Sequence, residues 1–334
     1  MNAKPPDEVV QTVERFHTGK VIQLAVVAAL GGFLFGFDTA VINGAVEAMK
    51  GEFGMSSALT GFTVASALLG CMVGAAAAGR ISDRFGRIRV MVIAALLFSV
   101  SALGSGLAFG IPDMILWRVV GGLGVGAASV IAPAYIAEIS PASVRGRLGS
   151  LQQLAIVTGI FVALLSDYAI ATAAGGAAEK LWLDLSAWRW MFMVELIPAG
   201  IYGTLALTIP ESPRFLVRLG RDEEAERILG SILIDGAKER VQEIRRTIEN
   251  ATKTSWSDLM VPGTRRILPI VWVGIALSVF QQFVGINVIF YYSSTLWRSV
   301  GFTEQDALTQ TVITSITNIV VTIVAIMLID RIGR

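Results

Sequence analysis

Long apolar runs constrain the fold of this chain more than any other feature. A membrane-spanning helix needs about 20 consecutive, mostly apolar residues. Two of the runs are rich in glycine, which suits membrane helices because small residues allow close helix contact. The sequence therefore predicts an all-α membrane protein with eight transmembrane helices, in the segments 21–48, 60–79, 90–110, 112–138, 150–172, 189–209, 267–297 and 307–329.

Composition supports the membrane class and disfavours several others. Only 16% of the 334 residues are charged, whereas a typical soluble domain has about 25%. The net charge of +1 gives no indication of a nucleic-acid partner. A single cysteine, Cys71, excludes an internal disulfide, and a single histidine, His17, argues against a histidine-built metal or catalytic site. No Ser/His/Asp set, HExxH motif or Gly-rich phosphate loop can be assembled, so we predict no enzyme, no metal and no cofactor.

The positions of Lys and Arg between the runs predict the orientation of the helices. Cytoplasmic loops carry an excess of basic residues. Arg118 lies inside a run, and most of the 27 basic residues fall on the side of the N-terminal tail. We therefore expect a cytoplasmic N-terminus and a retained first helix rather than a cleaved signal peptide. Few cysteines and short loops suit a bacterial inner membrane. The basic residues expected on the opposite side are Lys50, Lys180, Arg189 and Arg298.

A polar segment and a repeated motif divide the chain. The polar segment 210–266 predicts a cytosolic helical linker, with Asp222 as the N-cap of one helix and a second helix near 237–250; a plain polar connector is the alternative. The sequence DRFGR at 83–87 returns as DRIGR at 330–334, six spans later. Such a repeat indicates two six-helix halves. The predicted units are a tail 1–20, a six-helix bundle 21–209, the linker 210–266, and the first two helices of an incomplete second bundle 267–334.

Four motifs together resemble one transporter family. They are GRISDRFGR at 79–87, PESPR at 210–214, QQFVGIN at 281–287 followed by Tyr291-Tyr292, and Arg118 with the glycines of 121–126 and YIAE at 135–138. In order and spacing they are similar to the sugar porter family of the major facilitator superfamily, and especially to bacterial sugar–proton symporters. The resemblance implies two six-helix bundles with helices 9–12 absent from this sequence. It also implies a transporter that carries a monosaccharide across the bilayer with a proton, by alternating access. The sequence does not establish the oligomeric state, and we expect a monomer.

Asp38 and Arg118 are the residues from which we predict proton coupling. Asp38 is the only acid that we place in the middle of a span, and Arg118 is the only deep base. A carboxylate at this depth indicates function by default. Burial opposes its ionisation and a cation favours ionisation, so a conformational change can switch its protonation. The resemblance implies that Asp38 is the proton site and Arg118 its partner. Facilitators of the family carry an amide in place of Asp38, so the acid favours proton coupling here. The alternative is a static ion pair that joins two helices.

Amide side chains predict the sugar site, because each offers both donors and an acceptor to hydroxyl groups. On a straight helix Gln282 and Asn287 would lie about 140° apart, so both can face one cavity only if the helix breaks, and Gly285 is the natural place. We expect Gln152 to act in helix packing, which is also the alternative for the other amides. The resemblance assigns to the site Gln153, Gln281, Gln282, Asn287, Tyr291 and Phe35.

A charge network is predicted at the cytoplasmic ends of the helices. The resemblance implies that it latches the outward-open state. The alternative, a simple excess of positive charge, explains the arginines but not the acids. The predicted members are Arg80, Asp83, Arg84, Arg87, Glu138, Arg145, Glu195, Glu211, Arg214, Asp330, Arg331 and Arg334.

Two other functions remain open from the sequence. A facilitative sugar uniporter would share the fold, and Asp38 argues against it. A sugar sensor that does not transport would bind sugar through the same amides. Proton uptake together with sugar separates the symporter from both alternatives.

Overall fold

The computed structural model describes residues 15–250, 259–261 and 266–332, the last four of these by backbone alone. Its described residues form helices and no extended strand, as the apolar runs predict. The helices are α1 Thr18–Glu52, α2 Ser57–Phe85, α3 Arg87–Gly106, α4 Ile111–Ile139, α5 Arg145–Ala174, α6 Ala187–Met193, α7 Leu196–Ala206, α8 Pro213–Arg218, α9 Asp222–Ile232, α10 Ala237–Glu249, α11 Pro269–Phe283, α12 Ile286–Ser299 and α13 Glu304–Ile332.

Seven stretches among the described residues are long and apolar enough to cross a membrane. They are α1 to α5, α11 and α12 taken together, and α13 to Leu328. The predicted span 189–209 is not a continuous helix, because it is divided into α6 and α7. Pro198 explains the division, since it has no N–H to donate to the carbonyl of Val194 four residues earlier. That carbonyl instead accepts a hydrogen bond from the N–H of Ile197 at 3.1 Å.

Glycines allow the first five helices to cross at backbone contact. A Cβ atom added at Gly122 on α4 would lie 2.0 Å from the carbonyl oxygen of Ala67 on α2. One added at Gly126 would lie 2.2 Å from that of Cys71. Gly159 on α5 meets the backbone of α1 in the same way. The prediction of close helix packing at 121–126 is therefore confirmed.

The helices α8 to α10 pack together and contact the first bundle. The N–H of His17 donates to the carbonyl of Ile232 at 2.8 Å, which ties the start of α1 to the end of α9. The helix near 237–250 is confirmed by α10. The N-cap prediction for Asp222 is wrong, because Asp222 is the first residue of α9 and forms an ion pair with Arg245 of α10.

Candidate functional site

A buried ion pair joins α1 and α4. Nη1 of Arg118 lies 3.1 Å from Oδ1 of Asp38, and each residue is only 1% exposed. The same Nη1 lies 3.4 Å from the backbone oxygen of Asp38. Oδ2 of Asp38 and Nε of Arg118 have no hydrogen-bond partner among the described residues. The two side chains are thus joined by a single contact, and each side chain has a polar atom without a partner among the described residues.

Glu195 is a third member of this buried site. It lies in the turn between α6 and α7, is 1% exposed, and interacts electrostatically with both Asp38 and Arg118. Neither of its carboxylate oxygens has a hydrogen-bond partner among the described residues. Its assignment to the cytoplasmic charge network is therefore wrong, because it is buried near Asp38 and Arg118 instead of at the inner end. The expectation that Asp38 is the only buried acid is also wrong, since Glu195 and Asp167 are buried as well.

The break predicted at Gly285 is confirmed. The helix α11 ends at Phe283, and Gly285 has a left-handed backbone with φ of +79° before α12 begins. This break brings the two amides together, so that Nδ2 of Asn287 donates to Oε1 of Gln282 at 3.2 Å. A glycine is suited to this conformation because it has no Cβ to clash.

The other predicted sugar-site residues are exposed or partly buried and, in the part of the chain that the structure describes, do not form hydrogen bonds with each other. Gln153 and Gln281 are exposed, and Phe35 and Tyr291 are partly buried. No hydrogen bond within the described ranges joins Gln153 or Gln281 to the other members. Gln152, by contrast, is buried, and its amide packs against Gly32 of α1.

Polar contacts close the bundle at one end. We call this the outer end; it is the end at which α1, α5 and α12 finish. Asn43 on α1 donates to the carbonyl of Phe290 at 2.7 Å and to the hydroxyl of Ser293 at 2.8 Å, both on α12. The hydroxyl of Ser294 donates to the backbone oxygen of Asn43 at 2.7 Å. The sequence analysis did not find Asn43, although a lone amide inside an apolar run is a visible signal.

Two acids add to this closure, and a cavity lies beside it. Glu47 accepts a hydrogen bond from Thr295 of α12 at 2.9 Å. Glu304, at the start of α13, accepts one from the N–H of Ala177 in the loop after α5 at 2.8 Å. The cavity has a volume of about 840 Å³, and Asn43, Gly44 and these two acids are among the residues that line it.

At the opposite end, called the inner end, four residues of the predicted charge network are joined by contacts. Arg87 forms a two-point contact with Glu138 at 2.9 and 2.7 Å and also lies 3.4 Å from Asp83. Glu211 accepts from the N–H groups of Arg87 and Ile88 at 2.9 and 3.2 Å and so caps α3. These contacts connect the ends of α2, α3 and α4 to the PESPR segment.

The remaining network residues are less engaged. Arg218, which was not predicted, lies 2.9 Å from Asp83. Arg145 donates to the carbonyl of Ser140 at 3.4 Å, and Arg80, Arg84 and Arg214 are exposed. The side chains of Asp330 and Arg331, and the whole of Arg334, lie outside the described residues.

Long apolar helices, a helix broken beside amides and a buried carboxylate–guanidinium pair define a helical membrane transporter. The family model described as "Sugar (and other) transporter" matches residues 24–334. The chain therefore belongs to the sugar transporter family, has the major facilitator fold and is an integral membrane protein.

Two relatives and one solved structure illustrate this membership. The chain is 60% identical over 317 residues to the glucose transport protein of Synechocystis sp., covering 94% of this chain and 67% of the relative. It is 39% identical over 347 residues to the D-xylose-proton symporter of Escherichia coli, covering 96% and 69%. It is also similar to the partially occluded inward-open structure of the E. coli xylose transporter, with a TM-score of 0.81, 39% identity, and coverage of 94% of this chain and 74% of that chain.

Proposed function

We propose that this chain forms the first eight helices of a transporter that moves a monosaccharide together with a proton by alternating access. The observation that carries the proposal is the buried contact between Asp38 and Arg118, with Glu195 beside it. A carboxylate in this position can change its protonation when its cation moves away. The names of the relatives support the choice of cargo, since they include D-xylose-proton and arabinose-proton symporters.

Coupling follows if sugar and proton favour the same arrangement. Asp38 is ionised while it is paired with Arg118 and binds a proton when the pair separates. Sugar that stabilises the separated arrangement then raises the affinity for the proton, and the proton raises the affinity for sugar by the same factor. Glu195, if it ionises, can compete with Asp38 for Arg118. A facilitative uniporter would need no such exchange.

The sugar site that we propose lies between the two halves. Gln153 on α5 and Gln281, Gln282 and Asn287 at the α11–α12 break supply the hydrogen bonds, and Phe35 and Tyr291 supply apolar walls. The exposure of Gln153 and Gln281 supports this role, because side chains facing open space are free to bind a ligand. A broken helix in the middle of the bundle is also typical of transporter sites.

The organisation of the chain is part of the proposal. It comprises the tail 1–20, the six-helix bundle 21–209, the cytosolic linker 210–266 and the first two helices of the second bundle, 267–334. The repeated DRFGR and DRIGR motifs support four further helices in a complete second bundle. The transporter is a monomer, in a bacterial inner membrane, with its inner end in the cytoplasm.

Cysteine labelling tests the orientation. In a Cys71→Ser background, a membrane-impermeant thiol reagent added outside intact cells should label Lys180→Cys, in the loop after α5. It should not label Asp235→Cys, between α9 and α10. Both positions are exposed, so accessibility of the side chain alone does not separate them. The reverse pattern would overturn the orientation.

Asp38→Asn tests the coupling. The assay uses a chimera in which the part of the Synechocystis relative that this chain does not match follows Arg334. An asparagine imitates the protonated carboxyl permanently, so this variant should lose accumulation of sugar under an imposed pH gradient while it still binds sugar. Asp184→Asn, an acid whose side chain is 80% exposed, is the control and should still accumulate sugar. Proton-driven accumulation by Asp38→Asn would support the static ion pair instead.

A further inference from the structure

Asp167 on α5 is a buried acid that the Asp38 site does not use. The residue is fully buried. Its Oδ2 accepts from the backbone N–H of Gly44 on α1 at 3.2 Å, and its Oδ1 has no hydrogen-bond partner among the described residues. In a continuous helix that N–H also belongs to the backbone ladder, so the carboxyl receives at most a shared hydrogen bond.

Gly44 is the reason that the carboxyl reaches the α1 backbone. A Cβ atom added at Gly44 would lie 2.7 Å from both Cβ and Oδ2 of Asp167. Real side chains essentially never approach so closely, and a larger residue would force the carboxyl away from α1. The contact between Asp167 and α1 therefore depends on a glycine at position 44, where α1 and α5 cross.

Among the residues that the structure describes, no ion pair joins the carboxyl of Asp167 to a Lys or Arg side chain. Glu195 interacts with Asp38 and Arg118 instead. Arg118 on α4 and Arg189 on α6 have carboxylate partners of their own in Asp38 and Glu52. The charged side chains on α1, α4, α6 and α13 that make contacts with other described residues are Asp38, Glu47, Glu52, Asp113, Arg118, Glu138, Arg189, Glu304 and Asp306.

These surroundings determine the protonation of Asp167. An isolated carboxylate in a dry interior is so costly that such a group normally takes up a proton instead. The neutral acid needs far less solvation than the ion, and its carbonyl oxygen can still accept from Gly44. Asp167 therefore carries a proton in this closed arrangement.

Asp167 lies next to the outer cavity, because its neighbour Gly44 is one of the residues that line that cavity. Gly44 and Asn43 both line the outer cavity. Asn43 also holds α12 against α1 through Phe290 and Ser293. Movement of α12 away from α1 would break these hydrogen bonds and admit water to the floor of the cavity, next to the Gly44–Asp167 contact.

We propose that Asp167 is a second proton-binding site, which holds a proton while the outer end is closed and exchanges it with the outer cavity when α12 separates from α1. The proton comes from water in the cavity and returns to it. This inference rests on the proposed transport function, but its own test needs no transport.

Infrared difference spectroscopy of the purified chain tests the protonation. Subtracting the spectrum of Asp167→Asn from that of the unmodified chain at neutral pH should reveal the loss of one carboxylic-acid C=O band. Contributions from Glu195 cancel in the subtraction. The exposed-acid control Asp184→Asn should instead lose carboxylate absorption. If Asp167→Asn does not fold, Asp167→Glu should move the same band. Loss of a carboxylate band in place of the acid band would overturn the proposal.

A second comparison tests the connection to the outer end. Asn43→Ala removes the side-chain hydrogen bonds of Asn43 to α12 and so loosens the closure. The Asp167 band should therefore titrate from acid to carboxylate at lower pH in this background than in the unmodified chain. An identical titration in the variant and in the unmodified chain would overturn the proposal that separation of α12 from α1 controls proton exchange at Asp167. Failure of these tests leaves proton-driven uptake by the chimera unaffected, and failure of that uptake leaves the infrared band of Asp167 unaffected.

Discussion

The first bundle and the α11–α13 segment differ sharply in how they are packed. In α1, 72% of the most apolar window is buried, whereas in α11 and α12 together none of it is, and in α13 only 11%. Large apolar side chains such as Leu277 and Phe280 on α11 are 66% and 70% exposed. The helices α12 and α13 contact the first bundle mainly through α1 and α5.

This difference separates side chains that pack within the first bundle from side chains that have few contacts with the rest of the protein. In the first bundle Gly122, Gly126 and Gly159, the Asp38–Arg118 pair and the inner charge cluster make their contacts within α1 to α8. The amides of α11 and the apolar faces around them face outward. Within a membrane such faces contact lipid or other helices, and the exposed amides are available to a ligand.

The largest expected effect is on uptake by the chain alone. Because α11 buries none of its residues, we expect the chain in reconstituted vesicles to take up no more sugar than empty vesicles, and the chimera to restore uptake. Correct insertion is checked by the labelling of Lys180→Cys. Uptake by the chain alone would contradict the comparison, since it would mean that eight helices suffice.

The fold was predictable because length and apolarity decide which segments cross a membrane. The Gly285 break was predictable because two amides had to face one cavity. The Pro198 break was missed although the proline is visible, since a proline in a membrane helix does not always divide it. The position of Glu195 follows from a different signal, since it lies only six residues after Arg189, which the sequence analysis expects on the opposite side of the membrane.

The other omissions have spatial causes. Asp167 lies five residues before the end of its predicted span, which made it look peripheral. Its burial depends on Gly44, more than a hundred residues away, and no local pattern connects the two. The partners of Asn43 on α12 are about 250 residues away in sequence and are identified only by the packing of α1 against α12.

A pair of matched glycine substitutions gives the next largest effect. Gly122→Ala places a Cβ atom 2.0 Å from the Ala67 oxygen, so α2 and α4 must move apart. Overpacking of this kind costs about 1–3 kcal/mol. Gly274→Ala on α11 has no neighbour within 4 Å, and alanine favours a helix more than glycine does.

Thermal unfolding of both variants in one detergent is the measurement. We expect a lower midpoint for Gly122→Ala and an unchanged or higher midpoint for Gly274→Ala. Equal losses would contradict the difference in packing between the two regions.

The smallest expected effect separates a free amide from a packed one. Gln281 on α11 is exposed, so Gln281→Ala should leave stability unchanged while the sugar loses a hydrogen-bonding partner. Leaving a sugar hydroxyl unpaired costs about 1–3 kcal/mol, which corresponds to roughly tenfold or more in apparent affinity. Gln152→Ala is the matched control, because the Gln152 amide packs against Gly32 in the first bundle. It should leave the affinity unchanged. Both are measured as the sugar concentration for half-maximal uptake by the chimera. If the Gln281→Ala variant keeps its apparent affinity for sugar, the amides of α11 serve helix packing. In that case α11 differs from the first bundle in exposure but does not bind sugar.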